Sequence, residues 1–160
     1  AAQHGEANSQ FKLALMYDNG RGVPEDDKEA VKWYTKAADQ GVAVAQFNLG
    51  VMYDDGDGVP QDDKEAVKWY TKAAEQGYAV AQYNLGWMYH KGEGVPKDLI
   101  PAYAWFNVAQ ANGDEEGWDA GFTNRAKKCR DGLTLNAKEL AEATALSTEI
   151  YKRIEANGKN

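Results

Sequence analysis

The chain has 160 residues, 43 % of them hydrophobic and 27 % charged, ordinary values for a folded domain that needs no covalent staples. Lys and Arg number 18 against 25 Asp and Glu, and the resulting net charge of −7 repels phosphate backbones, which argues against a nucleic-acid partner. No apolar run approaches the ~20 residues of a membrane span, and the single Cys129 excludes an internal disulfide or a multi-thiolate zinc site.

In chain order, Ala1-Ala2-Gln3-His4-Gly5 comes first, with neither the basic nor the apolar region of a signal peptide. It matches Ala37-Ala38-Asp39-Gln40-Gly41, so residues 1–4 are expected to be the tail of a second helix and the chain a processed or truncated piece of a longer one. From Gly5 onward the chain repeats itself. Val23-Pro24, Val59-Pro60 and Val95-Pro96 recur every 36 residues, as do Tyr17, Tyr53 and Tyr89 and then Trp33, Trp69 and Trp105. A fixed period of this size means stacked supersecondary units. The copies are taken as 5–40, 41–76 and 77–112.

Each copy reads as two helices. In the second copy Ala45, Leu49, Met52 and Tyr53 recur at helical spacing, and Gly56-Asp57-Gly58-Val59-Pro60 then breaks the helix. Asp62 caps the next helix, with Glu65 placed to complete a capping box. Ala66, Trp69, Tyr70, Ala73 and Ala74 form its apolar face, and Gly77 ends it, as Gly41 and Gly113 end the other copies. In the third copy Pro101 replaces the glutamate, a substitution the first helical turn tolerates. Gly50 and Gly86, with Ala14 in the first copy, stand where a larger side chain would hold neighbouring helices apart.

Past residue 113 the pattern fades. A helix is expected over 115–130, carrying Trp118, Phe122, Ala126 and Cys129, then a turn at Asp131-Gly132-Leu133-Thr134. The last helix runs from about Asn136 to Glu155 with Leu140, Ala143, Ser147, Ile150 and Ile154 near one face, so 113–160 reads as a helical cap. No segment alternates apolar and polar residues with period two.

These residues, above all Ala45…Leu49-Gly50…Tyr53…Gly56-Asp57-Gly58-Val59 and Asp62…Lys64-Glu65-Ala66…Trp69-Tyr70…Ala73-Ala74…Gly77, resemble the Sel1-like repeat, a relative of the tetratricopeptide repeat. The resemblance covers residues 1–113 and implies an all-α fold, a right-handed solenoid of antiparallel helix pairs in one domain closed by the C-terminal cap. It implies an interaction scaffold rather than a reaction, and it favours a bacterial, exported protein over a cytoplasmic one.

Candidate chemistry is sparse. His4 and His90 have no spaced partner for a metal or a proton relay. Cys129 lies among Lys127, Lys128 and Arg130, which would lower a thiol pKa, yet its place on an apolar helical face favours a buried, inert thiol. The Gly-x-Gly turns follow helices, not strands, and lack the third glycine of a phosphate loop. Asp54-Asp55-Gly56-Asp57 lacks the alternate oxygens of a calcium loop, and its counterparts lose the acidic charge. No catalytic residue, metal or cofactor is expected.

Binding remains. Positions identical in every copy serve stacking, and positions that differ are free of it. One such stripe on the first helices comprises Asn8, Lys12, Leu15 and Asn19, then Val44, Asn48, Val51 and Asp55, then Val80, Asn84, Trp87 and Lys91. The resemblance places it in a concave groove. Asn48 and Asn84 are suited to bond an extended peptide backbone, and Lys12 and Lys91 to meet carboxylates. Val51 and Asp55 complete the groove set with Asn8 and Trp87. Trp87, off the structural register, is either a hot spot or packing beneath the C-terminal helix. Phe47 and Tyr83 are read as inter-repeat packing, the repeated tryptophans as core, and Lys28, Lys32 and Lys36 as a solvated outer face.

The expected partner is a protein or an extended peptide segment, with no nucleic acid and no membrane insertion. The alternatives are a β-lactam-binding or hydrolysing enzyme, associated with cysteine-rich relatives whose paired cysteines this chain lacks, and a structural module assembling end to end. Either a monomer or a weak end-to-end oligomer fits.

Overall fold

Alternation of glycine-broken, alanine-rich segments gives eight α-helices and no strand among the described residues, 2–115 and 120–158 of the computed structural model. The chain divides into two compact units, Ala1–Lys72 and Ala73–Asn160. The first holds α1 (Ala2–Asn19), α2 (Asp27–Asp39), α3 (Ala43–Asp55) and most of α4 (Asp63–Ala74). The second holds α5 (Ala79–Lys91), α6 (Leu99–Glu115), α7 (Ala120–Asp131) and α8 (Ala137–Asn157).

In the first unit α2 packs against both α1 and α3. The core is built from Ala14, Ala30, Tyr34, Ala37, Ala38, Ala45, Leu49, Met52 and Trp69, so small alanines set the helix spacing and a few large side chains fill it. A close helix approach is at Gly50, where an added Cβ would stand 2.7 Å from Cδ1 of Tyr70. Trp33 is only half-buried, with the Lys36 ammonium 4.1 Å from its ring centroid, and Lys72 stands over Trp69 in the same way at 4.2 Å.

In the second unit α6 is central, packing on α5, α7 and α8. Phe106 is fully buried, and its Cδ1 lies 2.8 Å from where a Cβ of Gly86 would be, the same fit as Tyr70 makes on Gly50. The last helix is tied back by a two-pronged ion pair from Arg153 to Glu75, at 2.7 and 2.8 Å, which raises the Arg153 pKa.

Helix ends follow the local chemistry. Gly56 takes φ 79° and its N–H donates to Met52 O at 2.9 Å, a left-handed C-cap that only glycine adopts without strain. Asp26 and Asp62 each accept from the N–H three residues on, at 3.1 Å. The capping box is only half made there, because Glu29 and Glu65 turn to Lys32 and Lys68 at 3.0 Å. The N–H groups of Asp26 and Asp62 donate instead to Tyr17 and Tyr53 carbonyls. A full box closes on Asn136 and Glu139 at the start of α8.

Several expectations are corrected. The break expected at Gly5 is absent, and α1 runs through it; no neighbour lies within 4 Å of that glycine to impose a turn. Gly113 does not end a helix either. It lies inside α6, where its missing Cβ admits Phe122, whose Cε1 would otherwise be 2.9 Å away. Of the helix expected over 115–130, Glu115 belongs to α6 and the described remainder is α7 from Ala120; the part carrying Trp118 lies outside the described residues. Leu140 is exposed rather than packed, while Ala143, Ser147 and Ile150 are buried as the periodicity requires.

Candidate functional site

The first-helix stripe divides between the two units. In the first, Asn8 and Lys12 on α1 and Asp55 on α3 are exposed, and Leu15 and Val51 are half-buried. Asn19 is exposed and donates back to Leu15 O at 2.9 Å. Asn48 is also half-buried, and its amide is committed: Nδ2 donates to the Tyr34 hydroxyl at 3.1 Å. That hydroxyl donates in turn to Asp18 Oδ2 at 2.7 Å. Burial and then the Asp18 bond push the Tyr34 phenol far above its ordinary pKa, with the Asn48 bond acting the other way. The three residues form a polar strut joining α1, α2 and α3. Asn48 is therefore part of the frame, with one amide N–H directed at the Tyr34 hydroxyl.

The second copy keeps the strut's core, Tyr70 donating to Asp54 at 3.1 Å. The third does not. Phe106 stands where Tyr34 and Tyr70 stood, and His90 where Asp18 and Asp54 stood. His90 Nδ1 is left buried without a hydrogen-bond partner. An aromatic nest replaces the strut: the Trp87 ring meets His90, Phe106 and Tyr83 edge-on, at centroid distances of 5.3, 5.9 and 6.4 Å. Trp87 is half-buried, walled on one side by these rings, and the exposed Lys91 lies 5.7 Å from its centroid. Asn84 is half-buried one turn earlier on α5.

Residues outside the groove set complete this neighbourhood. Tyr83 packs on Phe122 of α7 at 5.8 Å, and its hydroxyl lies 3.7 Å from Cys129 Sγ, so the thiol is half-buried rather than sealed. Burial raises the Tyr83 pKa, the Trp87 indole and the Arg125 guanidinium oppose that rise, and the nearby thiol adds to it. Arg130 is anchored, donating to Asn107 and Gln110 at 2.8 and 2.9 Å. Two buried glutamines also escaped notice: Gln46 and Gln82 donate to Ala38 O and Ala74 O, each at 3.0 Å. Among the described residues no group of three or more His, Cys, Asp or Glu is placed to hold a metal, and no helix is long and apolar enough to cross a membrane.

A model of the Sel1 repeat matches residues 7–42, 43–78 and 79–114. Among solved structures, a Sel1 repeat protein from Oxalobacter formigenes is 39 % identical over 79 % of this chain and 92 % of its own, with a TM-score of 0.67. A protective antigen of uropathogenic Escherichia coli that displays an SLR fold is 31 % identical over 98 % of this chain, which spans 40 % of that protein, with a TM-score of 0.63. Helicobacter pylori cysteine-rich protein B, 22 % identical with a TM-score of 0.58, shares the fold. No match arises among curated proteins.

Proposed function

Because the chain belongs to the Sel1 repeat family, whose members are generally non-catalytic protein-interaction scaffolds, we propose that it holds a protein or an extended peptide segment on the outward faces of its first helices. One observation carries this reading. On the first helices Leu49 and Leu85, kept in register, are buried, whereas positions that differ between copies, such as Lys12 and Asp55 in the first unit and Lys91 in the second, reach the surface. Asn8, Lys12, Val51 and Asp55 offer such a face in the first unit, and Asn84, Trp87 and Lys91 in the second. Trp87 is the anchor of the set, a large aromatic held rigid by three neighbouring rings and so bound at little entropic cost.

The test is affinity capture from the source organism followed by a measured Kd for the captured partner. Asn84→Ala with Trp87→Ala is expected to weaken binding by about ten-fold or more, at ~1–2 kcal/mol per anchor. Asn48 is left intact, since changing it disturbs the frame. A folded double variant that binds its partner unchanged refutes the site.

A further inference from the structure

The second unit differs in charge from the equivalent places in the first. The last turn of α1 ends Asp18-Asn19 and that of α3 ends Asp54-Asp55, whereas α5 ends His90-Lys91. Both acids of the second copy are thus lost in the third, and a cation is gained beside an aromatic anchor. The adjoining helix α7 adds to this. It carries Arg125, Lys127, Lys128 and Arg130 against one acid, Asp131, in a chain of net charge −7. Asp131 is already paired with Arg130 at 2.7 Å.

Geometry brings Arg125 to the α5 side, with Lys128 beside it on α7. Cys129 touches Tyr83 of α5, and Arg125, one turn earlier on α7, lies on the same side of that helix. Lys128, three residues after Arg125, borders it, and both are exposed. Lys91 meets Glu93 only at 3.8 Å between two exposed side chains, a pair too loose to occupy it. On α7 Arg125 stands at the middle of the helix and Lys128 in its second half.

From this charge complementarity, and resting on the peptide-binding reading above, we propose that the α5–α7 face of the second unit takes an acidic peptide, its carboxylates on Lys91, Arg125 and Lys128 and an apolar side chain against Trp87. The overall negative charge does not forbid it. At physiological salt the screening length is about 8 Å, so the local cations outweigh distant acids.

The test uses a fluorescein-labelled dodecapeptide alternating glutamate with leucine and phenylalanine, with counterparts carrying glutamine or lysine for every glutamate, read by anisotropy. The glutamate peptide is expected to bind at least ~ten-fold more tightly than the glutamine one and to weaken as salt rises. Arg125→Gln with Lys128→Gln should shrink that preference to under about two-fold, while Lys138→Gln, on the exposed face of α8, leaves it intact. Equal binding of the glutamate and glutamine peptides overturns the charge inference, as does a preference that survives Arg125→Gln with Lys128→Gln. So does tighter binding of a single-stranded oligonucleotide than of any peptide. If the glutamine peptide binds as tightly as the glutamate one and Trp87→Ala abolishes both, peptide binding stands and only the acidic preference falls; if no peptide binds, both fall.

Discussion

Replacing Tyr34 by phenylalanine removes one oxygen from a residue with no solvent exposure and cuts both bonds of the strut, to Asp18 at 2.7 Å and from Asn48 at 3.1 Å. A bond to a charged acceptor is worth ~1.5–3 kcal/mol and a neutral one ~0.5–1.5 kcal/mol. Asp18 and Asn48 are half-buried and regain some water, so a net loss of about 2–3 kcal/mol is expected in urea unfolding followed by circular dichroism. Asn48→Ala should cost ~1 kcal/mol in the natural chain and nearly nothing once the hydroxyl is gone, a coupling that a double-mutant cycle reads directly. There is a pH signature as well. Folding raises the Tyr34 pKa above the ordinary 10.0, so the neutral phenol's contribution is whole below that pH and is lost as pH climbs toward the folded value. Over that span each pH unit removes up to ~1.4 kcal/mol, a loss that Tyr34→Phe should not show. A Tyr34→Phe cost under ~0.5 kcal/mol, or an Asn48→Ala cost that is the same in both backgrounds, would refute the strut and return Asn48 to the set of ligand contacts.

Two further outcomes rest on the packing. Gly50→Ala and Gly86→Ala drive a Cβ to 2.7 and 2.8 Å from the Tyr70 and Phe106 rings. Overpacking of ~1–3 kcal/mol outweighs the ~0.5–1 kcal/mol that alanine adds to a helix, so both should lower the melting temperature. His90→Asp combined with Phe106→Tyr should rebuild the strut in the third copy, since Phe106 sits on Gly86 as Tyr70 sits on Gly50. The pair is expected to be ~1 kcal/mol more stable than the sum of its single variants, and strict additivity argues against an equivalent geometry.

The all-α repeat fold is legible in the sequence because the copies label one another: a glycine or alanine kept at the same place three times marks a close approach. The ends are not legible, because a glycine letter does not carry its conformation. Gly41 takes φ 88°, whereas Gly113 is helical and serves a close contact that depends on Phe122. The strut was hidden for another reason. Tyr34 lies 16 residues from Asp18 and 14 from Asn48, and it looks from its spacing like one more apolar-face residue. A signal was present, since Tyr becomes Phe106 and Asp becomes His90 in the same copy. Paired loss of a donor and its acceptor is what a broken hydrogen bond leaves in a repeat. The basic edge of α7 escaped the stripe because the chain leaves the 36-residue register before reaching it.

The buried glutamines have a consequence for how the chain is made. Gln46 and Gln82 each reach back from the first helix of one repeat to a carbonyl at the end of the second helix of the repeat before it. A carbonyl left bare at that depth is costly. The first two hairpins are thus not finished by their own residues, and each waits for its successor to be synthesised. A nascent chain leaving the ribosome trails its own completion by one repeat, and its newest hairpin stays the loosest part until translation supplies the next.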